Sequence, residues 1–241
     1  MSEAKQVLIT GAAGFVGGIL RSHWGSRYSL RLADRRPVEN LADHESFLET
    51  DISNYEQMLA ACNGVDTVVH LAADPSPAAE FYASLLPLNV IGGYNGFQAA
   101  AEAGCRRIVF ASSVNAVLGY GGETATSWDV PIYPQNVYGA TKCWGEALAR
   151  VYADQNDLSC ICVRLGSPRF DMDAVQAADL DKPSMGISPR DTAQLFGRCV
   201  DVDDVDFAIV HGISRHRKAW MDVEDSCRIL GYEPQDGTAM V

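Results

Sequence analysis

Three observations predict an α/β fold with a doubly wound parallel sheet. Apolar runs of strand length alternate with helix-length stretches, the first run ends in a glycine-rich turn that opens a helix, and no internal repeat or linker interrupts the pattern. The predicted strands are residues 7–10, 29–33, 47–48, 67–71, 107–111, 160–165 and 206–210, and the predicted helices include 55–61, 89–103 and 137–154. Right-handed crossovers between such strands place helices on both faces of one sheet. Two stretches rich in Gly, Pro, Asp and Ser, 119–134 and 168–189, read as loops over a cleft.

The 241 residues, 47% hydrophobic and 21% charged, suffice for a single domain and hardly for two. Residues 1–165 are expected to form the nucleotide-binding and catalytic core of that domain. Residues 166–241 are expected to supply a small C-terminal substrate-binding lobe with the closing strand and helices. Thirty-one acidic residues against 19 basic ones give a net charge of −12, which argues against nucleic acid or an anionic membrane as partner. Residues 1–6 are polar, the apolar run 7–10 is too short for a signal peptide, and no stretch approaches the ~20 apolar residues of a membrane span. The seven cysteines lack CxxC spacing, so neither a disulfide framework nor a metal site is expected, and a reducing cytoplasm fits best. Cys160 and Cys162 alternate on one strand and read as core.

The first predicted strand runs into Thr10-Gly11-Ala12-Ala13-Gly14-Phe15-Val16-Gly17. Gly11 permits the tight turn, Gly14 lets the backbone approach a pyrophosphate, and Gly17 lets the helix pack closely on the strand. A strand before and a helix after are the context that gives this pattern meaning, and they define a Rossmann-type dinucleotide site. The second strand ends in Asp34, placed for ribose hydroxyls and repelling a 2′-phosphate, so NAD is expected over NADP. Arg35 and Arg36 follow at once and keep the alternative open. Asp51, followed by Ile52, either meets the adenine amino group or belongs to the cap region of helix 55–61. The fourth strand ends in His70-Leu71-Ala72-Ala73, whose small residues let a cofactor lie against the backbone; His70 itself reads as a packed strand-end histidine.

Tyr138 and Lys142 stand four apart on one helix and share a face. A nearby ammonium favours the phenolate and lowers the tyrosine pKa from about 10, making a usable general base. Ser112 and Ser113 end the strand 107–111, at the edge of a parallel sheet where ligands bind. A hydroxyl there can hold the substrate oxygen while Tyr138 takes its proton. Behind a dinucleotide turn, serine, tyrosine and lysine describe hydride transfer from an alcohol carbon. Glu146 and Arg150, also four apart, read as an ordinary surface ion pair, and the basic run 214–218 as an exposed loop.

Together, TGAAGFVG at 10–17, HLAA at 70–73, ASS at 111–113, YGATK at 138–142 and VRLGSP at 163–168 resemble the extended short-chain dehydrogenase/reductase superfamily, also called the NAD-dependent epimerase/dehydratase family. The resemblance implies a catalytic set of Ser113, Tyr138 and Lys142. It also implies that Lys142 binds the nicotinamide ribose and that Asn89 is the helix asparagine near the site. Within the superfamily, SSVNAVLGY at 112–120 and the shortness of the chain, with only 77 residues after Arg164, are most similar to uronate dehydrogenases. These oxidise a free hexuronic acid at C1 to the aldarolactone. That resemblance adds Ser76, Asn115 and Ser167 as sugar contacts. The family segment that carries an arginine for the substrate carboxylate is DLDKPSMGIS here, at 179–188, with no arginine. Arg169, Lys182 and Arg190 are the cations expected to replace it, and without one in the pocket a neutral aldose becomes the better substrate. A sugar-nucleotide epimerase with recycled NAD and a dinucleotide-sensing regulator are the alternatives. The short C-terminal part argues against the first and the Tyr138–Lys142 pair against the second. The resemblance further implies a homodimer through helices 89–103 and 137–154.

Overall fold

The computed structural model describes residues 4–122, 125–169 and 182–238. Seven parallel strands form one sheet: β1 Gln6–Thr10, β2 Ser29–Asp34, β3 Glu45–Glu49, β4 Thr67–His70, β5 Arg107–Ser113, β6 Ser159–Leu165 and, after a short pair β7 Ser167–Pro168 and β8 Gly186–Ile187, β9 Phe207–Gly212. Their spatial order is β3-β2-β1-β4-β5-β6-β9, with reversal of direction at β1 and a crevice above the β1 and β4 ends. This is the doubly wound Rossmann-type sheet that the strand runs predict.

Both faces of the central strands are dry, and for this reason they read as continuous apolar runs. Val7 and Ile9, Val109 and Ala111, and Ile161 and Val163 face one core with Leu20, Trp24, Leu195 and Phe196. Leu8, Ile108, Phe110, Cys160 and Cys162 face the other with Met58, Phe97 and Leu148. The two layers come from α1 Phe15–Trp24 and α5 Pro189–Asp201 on one side, and from α2 Tyr55–Cys62, α3 Gly92–Glu102 and α4 Val137–Gln155 on the other.

Two helical features differ from expectation. The helix expected from Asn89 begins earlier, as a π-helical stretch Phe81–Ile91 that runs into α3 and contains Pro87. Proline reads as a helix breaker, but the wider winding takes it in: the Gly92 N–H donates to the Pro87 carbonyl five residues back. Second, Glu146 and Arg150 do not pair on the surface. Arg150 pairs with Asp154 at 3.4 Å, while Glu146 is buried against Arg164 on β6.

The C-terminal part is held by polar groups with almost no exposure. Ser188 caps α5, its hydroxyl accepting from the Asp191 N–H and donating to Asp236. Asp191, fully buried, accepts from the Ser214 hydroxyl and from the Gln235 and Asp236 N–H groups. Arg190 covers Asp236 from outside, and the chain closes with α6 Glu224–Leu230 and with the Tyr232 hydroxyl on the Ile213 carbonyl. Among the described residues, no helix is long and apolar enough to cross a membrane.

Candidate active site

A cleft of about 680 Å³ opens along the C-terminal ends of the strands, a size suited to a cofactor or small ligand. At one end it is lined by Gly11, Gly14, Phe15, Val16 and Gly17 with Asp34, Arg35 and Arg36. At the middle it is lined by Leu71, Ala72 and Ala73, and at the far end by Ser113, Asn115, Tyr138, Lys142 and Ser167. The expected nucleotide end and the expected chemical end thus belong to one continuous cavity.

The glycine turn fits a pyrophosphate for steric reasons. Gly11 has φ 71°, and a Cβ there would sit 2.9 Å from the Ala72 backbone. Gly14 precedes α1 with no side-chain cap over the first turn, which leaves the positive helix end to a ligand. Asp34 is fixed rather than loose: its carboxylate accepts from the Ala13 N–H at 3.0 Å and the Arg36 N–H at 2.9 Å. The Arg36 guanidinium reaches back to the Ala13 carbonyl at 2.8 Å. A fixed carboxylate with two arginines beside it thus lines this end of the cleft.

At the far end Ser113, only 6% exposed, accepts from the Asn115 N–H and side-chain amide. Asn115 in turn accepts from Asn136, which caps α4 by accepting from the Gly139 N–H at 2.7 Å. Sequence reading missed Asn136 as part of this chain, although an asparagine just before a helix is itself a legible cap signal. The Ser113 hydroxyl acts on Tyr138 so as to favour its ionised form. Lys142 is buried, its ammonium donating to the Ala111 carbonyl at 2.8 Å and lying 5.6 Å from the Tyr138 ring centre.

The electrostatics of this end differ from expectation in sign. Burial raises the Tyr138 pKa, the Ser113 hydroxyl only partly offsets this, and the Asp74 charge adds to the rise. The depressed value expected from Lys142 is therefore not what the cleft alone produces. Lys142 is itself destabilised as a cation, its pKa pushed down to about 8 by burial. His70 is the packed histidine expected, bonded to the Thr10 hydroxyl at 3.1 Å and kept neutral by burial with a pKa of about 3.

Six expected residues fall outside the lining of the cleft. The Asp51 carboxylate is turned to the Ser53 N–H and hydroxyl, leading into the Asn54 cap of α2, while its neighbours Thr50 and Ile52 line the cavity. Asn89 is buried: its side chain accepts from the Asp74 N–H and donates to the Asp74 carbonyl and the Thr141 hydroxyl, so it fastens the loop after β4 to α4. Ser76 is exposed, its hydroxyl accepting from the Ala78 N–H, and Pro75 lines the cleft instead. Arg169 and Lys182 are exposed and absent from the lining. Arg190, the remaining cation of that group, is engaged by Asp236. Of the segment 179–188, residues 179–181 lie outside the described residues. In the basic run, Arg215, Arg217 and Lys218 are exposed, but Ser214 and His216 are buried.

This fold and cleft define a Rossmann-type NAD-dependent oxidoreductase. A family model for the NAD-dependent epimerase/dehydratase family matches residues 7–168, and the chain belongs to that family. It is 34% identical to an NAD-dependent glucose-6-phosphate dehydrogenase of Haloferax volcanii, covering 98% of this chain and 95% of the relative. It is 30% identical to an L-arabinose 1-dehydrogenase (NAD(P)+) of the same organism, over 98% of both. Among solved structures it is similar to a uronate dehydrogenase from Agrobacterium tumefaciens, a tyrosine-to-alanine mutant complexed with NAD. The TM-score is 0.87 at 30% identity, covering 98% of this chain and 86% of the other.

Proposed function

We propose that the protein oxidises a free sugar at C1 to the lactone, with NAD as acceptor, and that Ser113, Tyr138 and Lys142 carry the chemistry. The carrying observation is their convergence at one end of a cleft whose other end is the glycine turn. NAD, when bound, supplies the hydride acceptor and a positively charged nicotinamide ring. Ser113 holds the C1 hydroxyl, Tyr138 takes its proton, and Lys142 orients the ribose and favours the phenolate. As the O–H and C1–H bonds break, a C1 carbonyl forms beside the ring oxygen. Gly11, Gly14, Phe15, Val16 and Gly17 hold the pyrophosphate, Asp34 holds the adenosine ribose, and Ile52 and Leu71–Ala73 line the path between them. Ser167 and Asn115 contact the sugar, with Gly166, Pro168 and Met185 supplying the remaining wall.

An uncharged aldose suits this cleft better than a sugar acid. Lys142 is the one cation lining its chemical end among the described residues, and Asp74 already adds negative charge near Tyr138. Residues 170–181 contain four aspartates and no basic residue. A hexuronic acid is the second reading, favoured by the similarity to uronate dehydrogenase over almost the whole chain. Purified protein with NAD and a panel of pentoses, hexoses, their uronic acids and glucose 6-phosphate tests both. NADH formation with neutral aldoses is expected, and Tyr138→Phe should reduce it by about 10²- to 10⁴-fold. Silence across the panel refutes the sugar reading, and strict preference for uronates refutes the aldose.

We further propose a homodimer through the exposed apolar face formed by Ile91 and Tyr94 with Trp144 and Val151 on α4, each 41–45% exposed. Light scattering at assay concentration should give twice the chain mass; a monomer overturns it.

A further inference from the structure

Beneath the cleft, the two elements that carry Ser113, Tyr138 and Lys142 meet β6 at one buried ion pair. Glu146 lies one turn beyond Lys142 on α4, and Arg164 lies on β6 directly beside Ser112 of β5. Both side chains are almost wholly covered, 4% and 2% exposed. Arg164 donates from Nε to Glu146 Oε1 and from Nη2 to Oε2, both at 2.9 Å, and from Nη1 to the Trp128 carbonyl at 3.0 Å. The Ser112 hydroxyl completes the set, donating to Glu146 Oε1 at 2.6 Å. The pair therefore links the Tyr138 helix, the strand end at Ser113 and the loop 125–134.

We propose that Glu146 and Arg164 are positioning residues for the proton transfer at Tyr138, a buried pair that fixes α4 against the strand end bearing Ser113. The inference rests on the reading of Ser113, Tyr138 and Lys142 as the chemical groups. Stability alone is a weak reason for such a pair, because apolar residues of similar volume usually replace a buried ion pair without loss. Its bidentate geometry instead sets distance and rotation between two elements, which apolar packing does loosely. The surrounding groups do not compete for it at neutral pH. Cys143 and Cys162 are held as thiols by burial with the Glu146 charge, and His211, beside Arg164 in the register of β9, is kept neutral by burial and the Arg164 charge. Tyr138 itself faces Ser113, Lys142 and the Asp74 charge.

The test uses the full chain as wild type, Ser112→Ala, Ser112→Thr, the double variant Glu146→Leu/Arg164→Met and Tyr138→Phe. With the best sugar, the double variant should keep its melting temperature and NADH-fluorescence Kd while kcat falls on the order of 10²-fold, the cost of ~1 Å of misplacement. Ser112→Ala should lose about 5-fold in kcat, one hydrogen bond's worth, with KM nearly unchanged, and Ser112→Thr should restore it. A second measurement needs no substrate: the phenolate absorbance of Tyr138, isolated by difference from Tyr138→Phe, should titrate at higher pH in Ser112→Ala and in the double variant, since each lets the strand end bearing Ser113 drift from the phenol, which its hydroxyl helps to ionise. Wild-type kcat in folded variants, or an unmoved Tyr138 titration, overturns the positioning role. Wild type silent on every sugar counts against the proposed function alone, and the titration still decides this proposal, through the Ser112 variants if the double variant fails to fold.

Discussion

Replacing Gly17 with alanine tests the steric logic of the nucleotide turn most directly. The added Cβ would lie 2.7 Å from both the Ala12 and Gly11 carbonyl oxygens and 2.8 Å from the Ala12 Cα, all of them backbone atoms. Ordinary contact begins near 3.4 Å, so α1 or the turn must yield by several tenths of an ångström. Overpacking of this kind costs about 1–3 kcal/mol. In a chain of this size that lowers Tm by about 2 to 12 °C. Where the turn rather than the helix yields, the strain falls on cofactor binding, and at tenfold per 1.4 kcal/mol the Kd for NAD rises on the order of 10- to 100-fold. Gly18 is the control: a Cβ there meets nothing within 4 Å, and the residue is exposed within α1. Gly18→Ala should stabilise by about 0.5–1 kcal/mol and leave Kd unchanged. Thermal melts and NADH-fluorescence titrations of the two variants check this. Equal melting of both would refute the reasoning, and wild-type affinity in a destabilised Gly17→Ala would place the strain in the helix rather than the turn.

Burial holds the Lys142 pKa at about 8, below its ordinary 10.5, so the unfolded chain binds that proton more tightly. The penalty is complete below pH 8 and is relieved as pH rises from 8 to 10.5; it amounts to about 3 kcal/mol. Lys142→Met, which also loses the bond to Ala111, should therefore melt higher than wild type at pH 7 by about 2 kcal/mol while losing turnover. That gap should close toward pH 10.5 in cofactor-free melts, and a pH-independent gap contradicts the burial argument. Asp34→Ala removes the carboxylate beside Arg35 and Arg36 and should shift kcat/KM toward NADP by roughly tenfold, one charge repulsion of about 1.4 kcal/mol. Unchanged discrimination in steady-state assays would show that Asp34 does not set the preference.

What was legible in the sequence was whatever rests on local period and turn chemistry. Runs such as 7–10 and 160–165 announce strands, Gly11 announces a tight turn that has φ 71°, and Gly17 announces close packing where a Cβ would lie 2.7 Å from two backbone oxygens. The misreading of Glu146 has a physical cause: its partner is distant in sequence. Glu146 was paired with Arg150 because helix neighbours are visible in sequence, whereas Arg164 becomes its neighbour only through the β5–β6 register. The hydrogen bonds that turn Asn89 to Asp74 and Asp51 to Ser53 depend on loop conformation, which residue type and spacing leave open. For Tyr138 the helical spacing gave the cation correctly but not the burial, and burial decides the sign.

The polar clasp around Asp191 has a consequence for the order in which the molecule can be made. Nucleotide-binding strands β1 to β4 lie within the first 70 residues and can pair early, as a growing chain emerges N-terminus first. The wall at Met185 is different, because the nearby anchors Ser188 and Asp191 are satisfied by residues 235–236. During synthesis the cleft thus has a floor long before it has its far side. An emerging chain would meet nucleotide before it could hold a second ligand, and the two binding events are separated in time by the translation of more than half the protein.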